Sequence, residues 1–210
     1  MRAAGITALS EPVEILEVDE PGPPAADEVL IDVAAAGVGN WDELVRIGSW
    51  QIGGPAPMAL GTQAAGTVAA VGSGVAELRE GDEVMTHPLP LRRHGTWAGR
   101  VLAPAATVAA RPPEASWEAS GAFPIPALTA AQALDEALGI ESGEWLVVNG
   151  AGGVTGGMLV QLAAARGARV IATGTALVVS PIRRVALGLI ERTHYAAAIT
   201  WLIVVSASIV

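Results

Sequence analysis

The 210-residue sequence predicts a chain of mixed class, a β-rich barrel followed by the opening βαβ part of an α/β domain. Three observations predict it. Short β-compatible runs recur between residues 2 and 109, separated by Gly and Pro clusters. Residues 145–173 read as strand, glycine loop, helix and strand, the size of a parallel crossover. With 51% hydrophobic and 16% charged residues, the composition is that of a packed chain rather than a disordered one.

The elements follow in order. Strands are expected over Arg2–Thr7, Val13–Val18, Val29–Ala35, Gly66–Val71, Glu83–Thr86, Trp97–Leu102 and Thr107–Ala109, a spacing that suits a small barrel or sandwich. Pro21-Gly22-Pro23-Pro24 stops one strand, and Gly72-Ser73-Gly74 forces a tight connection. One brief helix is expected over Trp41–Ile47, opened by Asn40 as its cap and closed by Gly48. Farther on, the turn Glu141-Ser142-Gly143 leads into a fully buried strand, Trp145–Asn149. A helix over Met158–Arg166 ends at Gly167, and Arg169–Thr173 forms the second strand.

Composition narrows the function. Twelve basic residues against 21 acidic give a net charge of −9, which disfavours nucleic acid or an anionic membrane surface as partner. The absence of cysteine removes disulfides, thiolate metal ligands and cysteine nucleophiles. Three histidines, His87, His94 and His194, are too scattered for a His-only metal site, and the first two sit in a Pro-rich stretch that reads as a solvated loop. Met1–Pro12 has no apolar run, so no secretory signal is expected and the chain is assigned to the cytoplasm. A seam lies near position 174: the acidic excess is confined to the residues before it, and the texture turns to apolar clusters ending in the uncharged run Tyr195–Val210. That run is marginal for a bilayer span, which needs roughly 17–25 apolar residues, so a membrane role is not expected.

Within the glycine loop, Ala151, Gly153 and Gly156 occupy the spacing of the dinucleotide fingerprint G-x-G-x-x-G, with alanine in the first place. The chemistry asks for a tight turn at the first position and no side chain at the second, where backbone meets diphosphate. At the third it asks for close packing of helix on strand. The helix start then offers unpaired N–H groups and a partial positive charge. The competing reading is a turn that merely lets the helix pack on the sheet. The acidic residue that binds a ribose 2′-hydroxyl is expected about 20 residues on; the sequence there is Thr173-Gly174-Thr175, which favours NADPH over NADH.

The ordered motifs Leu60-Gly61-Thr62-Gln63-Ala64-Ala65-Gly66, Val71-Gly72-Ser73-Gly74-Val75, Glu80-Gly81-Asp82-Glu83-Val84, Gly95-Thr96-Trp97-Ala98, Ala127-Leu128-Thr129-Ala130 and the glycine loop running to Val160-Gln161-Leu162-Ala163 resemble the medium-chain dehydrogenase/reductase superfamily. Specifically, they are similar to its alcohol dehydrogenase-like but zinc-free quinone oxidoreductase-like branch. The resemblance covers about residues 1–174 and implies a GroES-like β-barrel substrate domain over 1–118, a partial Rossmann domain over 119–174 and an unmatched tail over 175–210, expected as a truncated or frame-shifted product. It implies an enzyme that moves a hydride from NADPH, less readily NADH, to a quinone or enone-type carbonyl, as a homodimer. The other reading is a catalytically incomplete fragment that acts only as a folded GroES-like binding module.

Zinc-dependent relatives place a cysteine near Gly39-Asn40-Trp41-Asp42 and Gly-His-Glu where this chain has Gly61-Thr62-Gln63, so a zinc-independent mechanism is implied. Zinc-free relatives carry Asn-x-x-Asp; Asp42 matches, but Gly39 stands in the Asn place and Asn40 follows it. By the same resemblance Asn40 and Thr129 are the catalytic candidates. Ala151, Gly153, Val154, Thr155, Gly156 and Thr173 are the cofactor-binding candidates, and Trp41 and Gln63 the substrate-binding ones; no metal ligand is expected. Each has a competitor: capping for Asn40 and Thr129, packing for Trp41, and a structural role for Gln63.

Overall fold

A computed structural model describes residues 1–173. The described residues divide into two compact units, with the boundary between Ile125 and Pro126. The tail readings, including the apolar run and His194, lie outside the described residues.

The first unit holds eight strands: β1 (Arg2–Ile6), β2 (Glu14–Glu17), β3 (Glu28–Ala36), β4 (Met58–Ala59), β5 (Ala64–Val71), β6 (Glu83–Thr86), β7 (Arg100–Pro104) and β8 (Val108–Ala110). They form an antiparallel three-stranded sheet, β2-β1-β4, and a five-stranded one, β7-β3-β5-β6-β8. An isolated bridge between Ala3 and Ala98 links β1 to the run leading into β7. Alternation along the strands puts Val29, Ile31, Val68, Val84, Val101 and Ala103 into one core. Ile6, Val45, Met58, Leu60 and Leu91 form a second, beneath helix α1 (Asn40–Arg46). The strand expected over Trp97–Leu102 lies at Arg100–Pro104 instead; Trp97 belongs to the preceding segment, where its N–H donates to the Leu60 carbonyl.

Helices α2 (Trp117–Ala122) and α3 (Pro124–Gln132) follow, the first capped by the Ser116 hydroxyl. Neither was expected from the pattern. Pro124 and Pro126 mask α3, yet both fall in its first turn, where no backbone N–H is needed for an intrahelical bond.

In the second unit α3 runs on into a π-helical turn, Ala133–Leu138, ended by Gly139 in the left-handed region. Strands β9 (Trp145–Asn149) and β10 (Arg169–Thr173) pair in parallel, in register from Trp145 with Arg169 to Asn149 with Thr173. Helix α4 (Val154–Ala165) crosses between them, and Ala130, Leu134, Leu146, Val148, Leu159 and Ala163 make the core. The βαβ unit is therefore present, with its helix starting four residues earlier than expected, at Val154 rather than Met158.

Candidate functional site

Two groups of residues carry the candidate chemistry, one in each unit. In the second unit, β9 ends at Asn149 and the chain turns at Gly150, whose φ of +81° is open to glycine at little cost. The tight turn thus belongs to Gly150, not to Ala151 as the fingerprint spacing suggested. The Thr173 carbonyl accepts the N–H groups of Gly150 at 2.9 Å and Ala151 at 3.2 Å. Ala151 therefore spends its amide on fixing the loop, and Thr173 acts on the loop through its backbone. The Thr173 hydroxyl lies 3.2 Å from Asn149 Oδ1.

Gly153 is the N-cap of α4, with extended dihedrals, and its own N–H donates to the Gly150 carbonyl at 3.0 Å. Ahead of it the loop is open: a Cβ at Gly152 would meet nothing within 4 Å, and one at Gly153 only the Gly150 oxygen at 3.4 Å. Gly156 is the opposite case. A Cβ there would lie 2.1 Å from the Gly150 oxygen, so the absence of a side chain lets the helix press onto the loop. Val154 is 65% exposed, and no acidic residue stands in the first turn of α4. The result is a helix start with unpaired amides and room for an anion. Thr129, expected as a nicotinamide-side residue or a helix cap, lies within α3, exposed and well past its first residue, so it is not a cap.

In the first unit, the candidates cluster on the turn between β3 and α1. The cap of α1 is Gly39 rather than Asn40. The Asp42 carboxylate closes a reciprocal box: the Gly39 N–H donates to Asp42 Oδ2 at 2.8 Å while the Asp42 N–H donates to the Gly39 carbonyl at 3.0 Å. Asn40 becomes the first helical residue, and its amide is exposed and free of the capping duty. The Trp41 ring lies against Gly39, its Cε2 2.1 Å from where a Cβ would stand, and its Nε1 is buried without a hydrogen-bond partner among the described residues.

Gln63 is 1% exposed. Its Oε1 accepts the Ile125 N–H at 2.8 Å, and its carbonyl accepts both the Gly37 N–H at 3.1 Å and the Thr96 hydroxyl at 2.8 Å. That geometry makes it a structural tie, with no surface to offer a substrate.

The sequence reading passed over Asp42 and Thr62 as a pair. Asp42 is 2% exposed, and its Oδ1 accepts the Thr62 hydroxyl at 3.1 Å. Burial pushes its carboxyl up to about 6, against the opposing pull of the hydrogen bonds from Gly39 and Thr62. The signal was the Asn-x-x-Asp likeness, but burial belongs to tertiary structure. His87 and His94 are half-buried rather than solvated, and burial lowers both below the usual histidine range. His94 Nδ1 accepts the Ala59 N–H at 3.3 Å. Among the described residues no group of three His, Cys, Asp or Glu side chains is placed to hold a metal ion, and no helix is long and apolar enough to cross a membrane.

Residues 25–113 match the alcohol dehydrogenase GroES-like domain family. Pig (Sus scrofa) quinone oxidoreductase is 33% identical over 150 residues, 71% of this chain and 45% of its own length. An alcohol dehydrogenase superfamily protein from Novosphingobium aromaticivorans superposes with a TM-score of 0.77 at 29% identity, covering 89% of this chain and 57% of that one. The Escherichia coli quinone oxidoreductase complexed with NADPH gives 0.72 at 25% identity, covering 94% and 63%. The chain spans less than half the length of the first curated relatives it matches.

Proposed function

This chain belongs to the medium-chain dehydrogenase/reductase superfamily as a quinone oxidoreductase-like member, and from that premise we propose that it is an NADPH-dependent, zinc-independent oxidoreductase reducing a quinone or enone-type carbonyl. The observation that carries this is the open glycine mouth at the start of α4. Among the described residues a Cβ at Gly152 would meet nothing within 4 Å, the first turn of α4 carries no acidic residue, and the bare Gly156 lets the helix start sit close to the loop. Gly153, Val154, Thr155 and Gly156 would hold the diphosphate. Thr173, ending β10 without an acidic side chain, supports a phosphorylated ribose over a bare one.

When bound, the nicotinamide supplies a hydride, the two electrons that reduce the acceptor. A proton from solvent completes the reduction on the acceptor's oxygen or α-carbon. Asn40, freed from capping by Gly39, would donate its amide N–H to the carbonyl oxygen as negative charge develops there. Trp41 would supply an aromatic wall, its indole N–H being buried. The family premise also supports a homodimer in the cytoplasm, which light scattering of the purified chain and fractionation would check. Titration with NADPH, followed by nicotinamide fluorescence and by quinone-dependent oxidation, tests the activity; absence of both binding and turnover removes it.

A second reading has its own support. The first unit has its own cores, and the chain spans 45% of the pig enzyme. A folded GroES-like module without turnover would show a protease-stable fragment near residues 1–125 that NADPH does not protect.

A further inference from the structure

The turn Gly37–Asp42 is held at both ends by two adjacent residues. At its start the Gly37 N–H donates to the Gln63 carbonyl at 3.1 Å, and at its end the Asp42 carboxylate accepts the Thr62 hydroxyl at 3.1 Å. Thr62 is itself immobile: it is fully buried, and the segment around it is stitched to residues 95–97. There Gly95 donates to Ala59, Thr96 to Gly61 and Trp97 to Leu60, at 2.8 to 3.0 Å. The Trp97 indole N–H adds a tie to the Gly37 carbonyl at 2.9 Å. Between the two anchored ends the turn carries Val38, 79% exposed, together with the exposed Asn40.

We propose that Thr62 is a positioning residue which, through the Asp42 carboxylate, fixes the turn that presents Val38, Asn40 and Trp41 to the carbonyl acceptor. The assignment rests on the oxidoreductase reading for its acceptor, but the clamp itself does not. Both oxygens of Asp42 are engaged, one by Thr62 and one by Gly39, so the carboxylate couples the rigid segment directly to the N-cap of α1. Loss of the hydroxyl leaves the carboxylate tied to its own turn alone. The turn can then shift against residues 60–63 without any loss of core volume.

The test compares Thr62→Val, which keeps the shape and removes the donor, with Thr62→Ser, which keeps the donor and loses a methyl. In 15N-labelled full-length chain the Trp41 indole resonance, assigned with Trp41→Phe, and the Gly39 amide are the readouts. The expected result is that Thr62→Val shifts or broadens both and Thr62→Ser restores them. In turnover, Thr62→Val raises the quinone KM about tenfold with NADPH affinity unchanged, and the serine variant comes back within about twofold. If Thr62→Val leaves both resonances at their wild-type positions, or if serine perturbs them as much as valine, the clamp is wrong. Should Thr62→Val fail to fold, hydrogen exchange in Thr62→Ala, which leaves the Asp42 carboxylate in place, decides: faster exchange at Gly39 than in wild type and Thr62→Ser, with Gly37 unchanged, supports the clamp, and unchanged exchange at Gly39 overturns it. A wild-type chain without quinone turnover would refute the oxidoreductase reading while the resonances still judge the clamp.

Discussion

Replacing Gly156 by alanine puts the cofactor loop under the most direct strain the structure allows. The new Cβ would lie 2.1 Å from the Gly150 oxygen, 2.8 Å from its carbonyl carbon and 3.0 Å from the Ala151 Cα, all backbone atoms. Ordinary carbon contact needs about 3.5 Å, so the start of α4 and the loop must separate by more than an ångström. Overpacking of this kind costs about 1–3 kcal/mol. The helix preference of alanine over glycine offsets about 1 kcal/mol of it, leaving a net loss of about 0–2 kcal/mol in the second unit. The larger effect falls on binding. Displacing the first-turn amides loses at least one hydrogen bond to a charged group, about 1.5–3 kcal/mol, which weakens NADPH binding about tenfold to a hundredfold. Fluorescence titration measures this, with urea unfolding run alongside. Gly152→Ala is the stability control, since its Cβ meets nothing within 4 Å. Wild-type NADPH affinity in Gly156→Ala, or equal destabilisation by Gly152→Ala, would refute the reasoning.

Asp42→Asn tests the buried carboxyl. Because its folded value is raised to about 6, the folded state holds the Asp42 proton more tightly than the unfolded state, so stability falls as pH rises from about 4 to 6 and stays lowered above that. Urea unfolding at pH 4 and pH 7.5 should show Asp42→Asn gaining on wild type by up to about 3 kcal/mol at the higher pH; a constant difference would contradict the burial account. Arg92→Ala removes the partner of Glu28, a nearly buried carboxylate that also accepts the Ala25 N–H. The expected cost is about 1–3 kcal/mol at neutral pH, read by urea unfolding; an unchanged midpoint would show that the pair adds nothing. Leu146→Ala, in the core beneath the β9–β10 pair, should lower the second unit's stability by about 2–5 kcal/mol; retained NADPH binding after such a loss would show that the loop does not depend on that core.

Much of this was legible because it is local. Strands β9 and β10 fall on the expected residues, since apolar runs bounded by turn signals need no tertiary information. The dinucleotide spacing pointed at the right loop but assigned its turn to Ala151, because spacing counts residues and does not know which one needs positive φ. Strand β4, two residues long, has no period to detect; it exists through its pairing with β1. Asn40 was a sound cap by residue type, yet the Asp42 carboxylate reaches back to Gly39 and takes the role. Gln63 and Thr62 show the limit most clearly. Their roles depend on partners at residues 125, 96 and 42, and nothing in a window of neighbours reveals that.

The pair of hydrogen bonds that the Thr173 carbonyl accepts from the Gly150 and Ala151 N–H groups has a consequence for the order in which this region assembles. The loop cannot take its final shape from neighbouring residues alone; it waits for a strand more than twenty positions downstream to dock. On the proposed function, nucleotide affinity is a late property in folding, gained when the parallel pair zips to its last rung, where Thr173 meets Asn149. Refolding followed simultaneously by backbone ellipticity and by NADPH fluorescence should see secondary structure arrive first and the binding signal lag behind it.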